Sequence, residues 1–372
     1  MNCYDIVFLQ TAHAADDDRV WYHQFRSLSE SGFSVKIISN KRNFSDNPHF
    51  HIVDTSNLNL RQRIKNYAEA LSETSPRIII CDTPVAIKSA SLYKKRHKNC
   101  KVVYDVTEWY PSKKNLRGLS ILKKTFKFCA MVCANLSNSS KTDGFIFGET
   151  DKAKPYRSFF PRKPFIMLPY YPDLGLITPL PATAISNDIR LFYAGSLTDE
   201  KGFQNVMKVA ETLAGKNHKR RVFLSVITDS KEITKNANID NLNISIIPWQ
   251  TLEDFCKIAS DNDIFLDLRK IDKENDRCMP IKIFYYMAMR RPVIYSALSA
   301  IEKGCPEISS FGHLVQPTEH EVIAEIIEKY INNSGLYQQH SNAARELAEQ
   351  KYNWSSVEPV FINFIKQLWA SN

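Results

Sequence analysis

Residues 189–202, IRLFYAGSLTDEKG, decide the fold of this chain. The apolar run 189–194 is typical of a buried strand, and the apolar periodicity after it predicts a helix over 202–214. Gly195 allows a tight turn between the two, and Lys201 precedes a helix whose first N–H groups carry partial positive charge. This pattern fits a diphosphate-binding turn, with an ordinary strand-to-helix connection and a surface lysine as the alternative.

The same alternation of strand and helix patterns continues on both sides of this stretch, which predicts parallel sheets with crossover helices. Strands are predicted at 4–9, 34–38, 77–81, 101–104, 144–147, 164–168, 189–194, 221–227, 243–247, 263–268, 292–295 and 312–315. Helices are predicted at 17–31, 60–73, 84–97, 118–136, 202–214, 251–259, 280–289, 319–332, 335–350 and 355–369.

The alternation pauses only over 168–188, a proline-rich stretch with little periodicity, which favours a domain boundary there. The sequence therefore predicts an α/β protein with two Rossmann-like, doubly wound domains facing each other across a cleft. The N-terminal domain spans 1–175 with the last helix, 355–372, and the C-terminal domain spans 187–354. Ligands of such sheets bind at the carboxyl ends of the strands, near the switch in strand order.

Composition narrows the class of protein. The chain has 372 residues, a net charge of +9 and eight cysteines without a CxxC pair, which favours a reducing, cytoplasmic compartment. Cys129 and Cys133 are expected in a helix core rather than at a metal. No stretch offers the roughly 20 apolar residues of a membrane span, and the first ten residues resemble a strand rather than a signal peptide.

The positive charge is concentrated in the first half of the chain. Residues 1–175 hold 27 Lys/Arg against 16 Asp/Glu, whereas 176–372 hold 22 against 24. Between residues 88 and 127, twelve basic residues face only Asp105 and Glu108. This stretch fits an anionic partner, above all a phospholipid surface, with a solvated helix face as the alternative. Nucleic acid is not expected, because no interleaved aromatics or recognition motif accompany the lysines.

A second motif follows the predicted strand 263–268. Its loop leads to Pro280, which suits the first turn of a helix, and to the run PIKIFYYMAMRRPVI over 280–294. Three basic residues of this region, Arg269, Arg277 and Lys282, are expected to cluster where an anionic ligand would lie.

The runs GSLTDEKG and PIKIFYYMAMRRPVI, with the strand Gly312–Val315, resemble the family 4 nucleotide-sugar glycosyltransferases. The likeness covers about 187–354 and extends more faintly to Asp16–Arg19 and Tyr104–Tyr110. It implies the GT-B fold, a last helix that crosses back to the first domain, and retaining transfer of a sugar from a nucleotide diphosphate sugar without a metal or cofactor.

The resemblance also assigns roles. Lys201, with Gly195, Ser196 and Gly202, matches the part of the family motif that contacts the donor diphosphate. Thr107 and Glu108 match the acceptor-side loop near the transferred sugar, and Glu108 and Asp105 are the candidate bases.

The sequence departs from the family pattern at four positions. Arg277 and Tyr285 stand where the family has two glutamates, the second of which binds the donor ribose. Ser196 replaces an arginine, and Thr107 replaces a histidine. Arg277 and Lys282 are expected to restore the lost phosphate charge.

The sequence thus predicts a glycosyltransferase that extends a glycan, in the cytoplasm or peripherally at the cytoplasmic membrane face. The expected partners are a nucleotide-sugar donor, a glycan or lipid-linked acceptor and an anionic membrane. The alternatives are a non-catalytic GT-B homologue acting as a scaffold, and a nucleotide-sugar epimerase of the same fold. An assay of donor turnover separates the three.

Overall fold

A computed structural model describes residues 3–44, 46–108, 110–111, 113–182, 185, 188–216, 220–230 and 240–371. The chain divides into two compact units. The first unit comprises residues 1–170 with 357–372, and the second comprises residues 171–356.

The first unit is built on one parallel sheet of seven strands in the order β3-β2-β1-β4-β5-β6-β7. Its strands are β1 Ile6–Gln10, β2 Val35–Ser39, β3 Phe50–Ile52, β4 Ile78–Cys81, β5 Lys101–Val106, β6 Gly144–Phe147 and β7 Phe165–Met167. Its helices are α1 Arg26–Glu30, preceded by a π-helical segment Arg19–Phe25, then α2 Leu60–Thr74, α3 Pro84–Lys94, α4 Lys113–Leu116, α5 Ile121–Ser139 and α6 Thr150–Phe159. The four central strands β1, β4, β5 and β6 are almost wholly buried, as expected for a sheet covered on both faces.

The last helix of the chain, α13 (Trp354–Ala370), packs on this first sheet from Val357 onward. The Phe364 ring lies so close to β6 that a Cβ at Gly144 would be 2.9 Å from it. At the end of the helix, the Trp369 ring stacks 3.7 Å from the Arg77 guanidinium and meets Phe33 edge-on at 5.4 Å. A larger residue at position 144 would therefore require the Phe364 ring to shift.

The second unit has a parallel sheet of six strands in the order β10-β9-β8-β11-β12-β13. Its strands are β8 Ile189–Ala194, β9 Val222–Thr228, β10 Leu242–Pro248, β11 Ile264–Asp267, β12 Val293–Ser296 and β13 Gly312–Val315. Its helices are α7 Phe203–Lys216, α8 Leu252–Ser260, α9 Lys282–Ala288, α10 Ser299–Gly304, α11 His320–Asn332 and α12 Ser334–Gln350. Two apolar clusters, one on each face of the sheet, form its core.

The structure corrects the expectation for α5. Cys129 and Cys133 are exposed rather than in a core, and so are all residues from 121 to 130. Only Asn135 and Ser139 of this helix are buried. Within the described residues, no helix combines the length and apolarity needed to cross a bilayer.

Candidate functional site

The carboxyl ends of β8 and β11 mark the switch in strand order of the second unit. From β8 the chain moves outward to β9 and β10, and it then returns to place β11 on the other side of β8. Loops that leave two neighbouring strands in opposite directions open a crevice, where ligands of doubly wound sheets bind. The predicted residues Gly195, Lys201 and Arg269 all lie in these loops.

The loop after β8 is held tightly against the end of β11. The Tyr193 hydroxyl lies 2.8 Å from the carbonyl oxygen of Ser196 and 3.2 Å from that of Lys201, which closes the loop. Gly202 has a φ of +78°, and a Cβ there would lie 1.9 Å from the carbonyl oxygen of Leu268. Because only glycine fits such a position, Gly202 fixes how closely Lys201 approaches β11.

Asp267, the last residue of β11, forms a buried ion pair with Arg269. The Arg269 Nε lies 2.7 Å from Oδ1 of Asp267, and a second guanidinium nitrogen contacts Oδ2. Burial alone would raise the pKa of Asp267, but Arg269, with Lys282 and Lys201, lowers it below its ordinary value. Asp267 is therefore ionised, and its two oxygens hold the Arg269 side chain in place.

Lys282, at the start of α9, points back to the end of β8. Its ammonium donates a hydrogen bond to the carbonyl oxygen of Ala194. Burial lowers the pKa of Lys282 to about 8, against the opposing effect of Asp267, while Arg269 and Lys201 lower it further. Lys282 is thus a largely protonated, poorly solvated cation at neutral pH, and an incoming anion would stabilise it.

Lys201 adds a second ammonium beside Lys282. Its side chain is 42% exposed, and its Nζ lies 3.9 Å from a carboxylate oxygen of the neighbouring Glu200. Its charge acts on both Asp267 and Lys282. The structure therefore brings together the predicted residues Lys201, Arg269 and Lys282 beside the turn at Gly195.

The remaining predicted donor residues lie differently. The Ser196 hydroxyl donates to Oδ1 of Asp229 at 3.1 Å. Arg277 is exposed and ends the short turn Asn275–Arg277. Tyr285 is 6% exposed and belongs to the apolar core of the unit.

The first unit has a matching switch in strand order, between β1 and β4. Asp82 follows β4, and its buried carboxylate accepts the backbone N–H groups of Thr11 and Ala12 at 2.9 Å and of His13 at 3.3 Å. Burial raises the pKa of Asp82, although His13 and these N–H groups oppose the shift. Asp82 thereby shapes the loop after β1 and fixes the position of His13.

His13 belongs to the loop after β1 and contacts the loop after β5. Its Nε2 is 3.4 Å from the Thr107 hydroxyl, and its Nδ1 is 3.6 Å from a carboxylate oxygen of Asp17. Burial would lower the pKa of His13, but Asp17, Asp82 and Glu108 raise it to about 9. The imidazole is consequently cationic at neutral pH and donates from both nitrogens.

Asp105, a predicted base, is fully engaged within the unit. Its carboxylate accepts from Arg19 Nη2 at 2.7 Å and from Gln24 Nε2 at 3.0 Å, and both members of the ion pair are buried. Arg19 also stacks 3.8 Å from the ring centre of Tyr170. This arrangement suits a structural role for Asp105 better than a role as proton acceptor. Glu108, the other predicted base, is exposed.

The Thr107 loop has a further support, since Lys152 donates to the carbonyl oxygen of Thr107 at 2.6 Å. Trp109, in the stretch that carries the fainter family likeness, lies outside the described residues.

Sequence reasoning missed several site residues, which share one position. Each lies at or just beyond the carboxyl end of a buried parallel strand, the place where such sheets bind ligands. These residues are His13, Asp82, Asp229 and Asp267. A search for polar residues at strand ends would have found most of them.

Among the described residues, no group of three or more His, Cys, Asp or Glu side chains is arranged to hold a metal ion.

No family model matches the sequence, and no curated protein matches it. Solved structures do resemble the fold. Sucrose-phosphate synthase from Thermosynechococcus elongatus superposes with a TM-score of 0.72 at 14% identity, over 99% of this chain and 100% of that one. WaaG, a glycosyltransferase involved in lipopolysaccharide biosynthesis, gives 0.66 at 13% identity, over 96% and 98%. HepE from Anabaena, in complex with UDP-glucose, gives 0.67 at 10% identity, over 98% and 100%.

These likenesses span nearly the whole chain, although the identities are low. The two parallel sheets with alternating helices match the two-domain architecture of these neighbours. The predicted fold class is confirmed: the chain has the GT-B fold.

Proposed function

We propose that this chain is a glycosyltransferase that moves a sugar from a nucleotide diphosphate sugar to a growing, lipid-linked glycan. The observation that carries the proposal is the cation set at the β8/β11 switch, where Lys282 and Lys201 lie beside the Asp267–Arg269 ion pair. The GT-B fold of the neighbours supports a transferase, and one of those neighbours is in complex with UDP-glucose.

The second unit would bind the donor. A diphosphate brings two negative charges to a place where Lys282 is poorly solvated and donates to the backbone carbonyl of Ala194. When the bond from the sugar to the diphosphate breaks, further negative charge develops on the leaving group. Lys282, Lys201 and the positive end of α7 would stabilise that charge.

Asp229 is placed to bind the donor ribose. It follows β9, the second strand of the unit, and its carboxylate already accepts the Ser196 hydroxyl. In dinucleotide-binding doubly wound folds, an acidic residue downstream of the phosphate-binding turn accepts a ribose hydroxyl. Asp229 would then take the role expected of Tyr285, which is buried in the core. Asp229→Asn should weaken binding of the nucleotide sugar without weakening that of inorganic diphosphate, because the variant loses a negative charge that acts on Lys282; equal weakening of both contradicts this role.

The first unit would bind the acceptor. The hydroxyls of a sugar require both hydrogen-bond donors and acceptors. The carboxyl edge of the first sheet offers both, in the His13 imidazolium, the Thr107 hydroxyl and the Glu108 carboxylate. In the transfer, the acceptor oxygen bonds to the anomeric carbon as the bond to the diphosphate breaks. The acceptor proton passes to Glu108 or to the leaving diphosphate.

The family resemblance supports retention of the anomeric configuration and a reaction without a metal. The excess of basic residues in the first unit supports action at the cytoplasmic face of the membrane, where a lipid-linked acceptor would lie. NMR of the product anomer tests retention, and turnover in the presence of a chelator tests the metal.

The direct experiment begins with a screen of nucleotide sugars by thermal shift, since a ligand that binds only the folded state raises the melting temperature. The donor so found is then incubated with the protein, with and without glycan acceptors, and its products are analysed. Release of the nucleotide supports a transferase. Isomerisation of the sugar with the nucleotide still attached shows an epimerase, and binding without turnover shows a non-catalytic homologue; either result refutes the proposal.

A further inference from the structure

The first ten residues of α5, 121–130, form an exposed segment that we call the α5 overhang. Three of its apolar side chains are almost fully exposed: Ile121 at 82%, Leu122 at 85% and Phe126 at 79%. Farther along the same helix, Asn135 and Ser139 are buried against the unit. Large apolar side chains grouped together at such exposure mark an interaction surface.

Helix length explains why this part of α5 extends beyond the sheet. A helix of 19 residues is about 28 Å long, whereas β6, the strand it leads into, has four residues and spans about 13 Å. Because α5 runs antiparallel to β6, its last turns cover the sheet and its first turns extend beyond the carboxyl edge. The α5 overhang therefore lies at the edge that also carries His13 and Glu108.

The α5 overhang is strongly amphipathic. With 100° between successive residues, Ile121, Leu122 and Phe126 lie on one side of the helix. Lys123, Lys124 and Lys127 lie on the other side. The whole stretch from 109 to 142 contains no acidic residue, so no carboxylate of its own neutralises these lysines.

We propose that the α5 overhang is a membrane-docking element, which inserts its apolar side into an anionic phospholipid bilayer while its lysines contact the lipid headgroups. An apolar side next to a lysine side is the pattern of helices that lie in the interface of such bilayers. The charge favours lipid over a second copy of this chain, because the same stretch of a second copy, 109–142, offers no acidic residue that could pair with these lysines. Anionic headgroups complement the lysines instead.

Docking would direct the carboxyl edge of the first sheet towards the lipid. That edge carries the residues assigned to the acceptor, so the sugar of a lipid-linked acceptor would meet it at the membrane surface. This consequence rests on the proposed function, whereas the docking itself needs neither donor nor acceptor.

The test is flotation of the full chain with two kinds of vesicle. One is phosphatidylcholine alone, and in the other about a third of the lipid is phosphatidylglycerol. The parent should bind the anionic vesicles and not the neutral ones. Replacing Ile121, Leu122 and Phe126 by serine should reduce binding at least tenfold, and because these side chains are exposed the melting temperature should not change.

Charge variants locate the surface. Replacing Lys123, Lys124 and Lys127 by serine should reduce the partition coefficient about fivefold per lysine. The matched control replaces three exposed lysines of the same unit that lie outside the basic stretch 88–127: Lys65, Lys141 and Lys154. This control removes the same charge and should retain most of the binding.

Two cysteines report insertion in the unaltered protein. Cys129 lies on the apolar side of the α5 overhang, and Cys3, before the amino end of β1, is also exposed. Anionic vesicles should slow alkylation of Cys129, measured by mass spectrometry, and leave that of Cys3 unchanged.

Four results would overturn the proposal: equal binding to both vesicles, no binding to either, an equal loss in the lysine control, or a concentration-dependent dimer that the serine variants abolish. Donor turnover with a water-soluble acceptor is measured on the same variants. Lost vesicle binding with intact turnover separates a failed docking surface from a failed assignment as a transferase.

Discussion

Lys282 provides the sharpest test of the donor site, because its charge depends on pH in the range where enzymes are assayed. Burial lowers the pKa of its ammonium to about 8, from an ordinary value of 10.5. A diphosphate bound beside the ammonium would favour the protonated form and raise the pKa again. Donor binding should therefore take up a proton above pH 8.

The structure gives the size of the effect. If only the protonated form binds, the dissociation constant rises about tenfold from pH 7 to pH 9, since at pH 9 about one Lys282 in ten is protonated. If the bound diphosphate restores the ordinary pKa of 10.5, the total coupling is about 3 kcal/mol.

Lys282→Met removes the charge and keeps an unbranched side chain. Its donor affinity should fall at least tenfold at pH 7, because a charge-assisted hydrogen bond contributes roughly 1.5–3 kcal/mol. Its affinity should also lose the dependence on pH. The protein itself should become more stable at pH 7: a lysine whose folded pKa is lowered destabilises the fold below pH 8, and that cost disappears as pH rises towards 10.5.

The assay is calorimetric titration of the donor at pH 7, 8 and 9, with urea unfolding at pH 7. Lys303→Met, an exposed lysine on α10, is the matched control and should behave as the parent does. Ionisation of the donor itself would appear equally in parent and variants. A dissociation constant that is independent of pH in the parent, or unchanged in Lys282→Met, would refute the reasoning.

Three further predictions concern the loops at the strand ends. Lys201→Ala should weaken donor binding or turnover at least tenfold. The melting temperature should not change, since the side chain is 42% exposed, and an unchanged donor affinity would refute the assignment of Lys201 to the diphosphate. A histidine with a raised pKa stabilises the fold fully below pH 6.5 and stops doing so as pH rises through about 9. Urea unfolding should therefore show that the parent loses stability between pH 6.5 and pH 9, and His13→Gln should abolish this loss. A parent that is equally stable at these two pH values contradicts the prediction. Gly202→Ala should lower the free energy of unfolding by about 2 kcal/mol or more, because its Cβ would clash with a backbone carbonyl, whereas the control Gly215→Ala, in open space near the end of α7, should be neutral or stabilising.

The sequence predicted the buried strands well because parallel strands covered on both faces are continuous apolar runs. Residues 189–194 and 312–315 are strands with the predicted bounds. The three-residue edge strand β3 was missed because it is short and only partly buried. Helix α6 was missed because it is polar and contains Pro155, which normally signals the end of a helix.

The contacts within the site could not be predicted in the same way. Lys201 and Lys282 were found because each follows a strand in a recognisable motif. Other contacts depend on which strands are neighbours in the sheet. Examples are the ion pair between Asp267 and Arg269 and the contact of His13 with Thr107, which are 94 residues apart in the chain. The exposure of the α5 overhang likewise depends on the lengths of a helix and a strand relative to each other, which periodicity does not give.

The net charge of each half of the chain does not predict the charge at its candidate site. The first half of the chain carries the basic excess, yet the edge of its sheet gathers carboxylates, with Asp82 and Glu108 around the single imidazolium of His13. The second half is slightly acidic, yet at its switch point Lys282 donates to a backbone carbonyl rather than to a carboxylate.

In both units, the charge at the carboxyl ends of the strands is thus opposite in sign to the net charge of that half of the chain. An edge rich in carboxylates repels a diphosphate and accepts the hydroxyls of a sugar, whereas a poorly solvated ammonium such as Lys282 attracts a diphosphate. The division of labour proposed for the two units follows from these local charges. The basic excess of the first unit instead lies beside that edge, on the α5 overhang, where Lys123, Lys124 and Lys127 face the solvent.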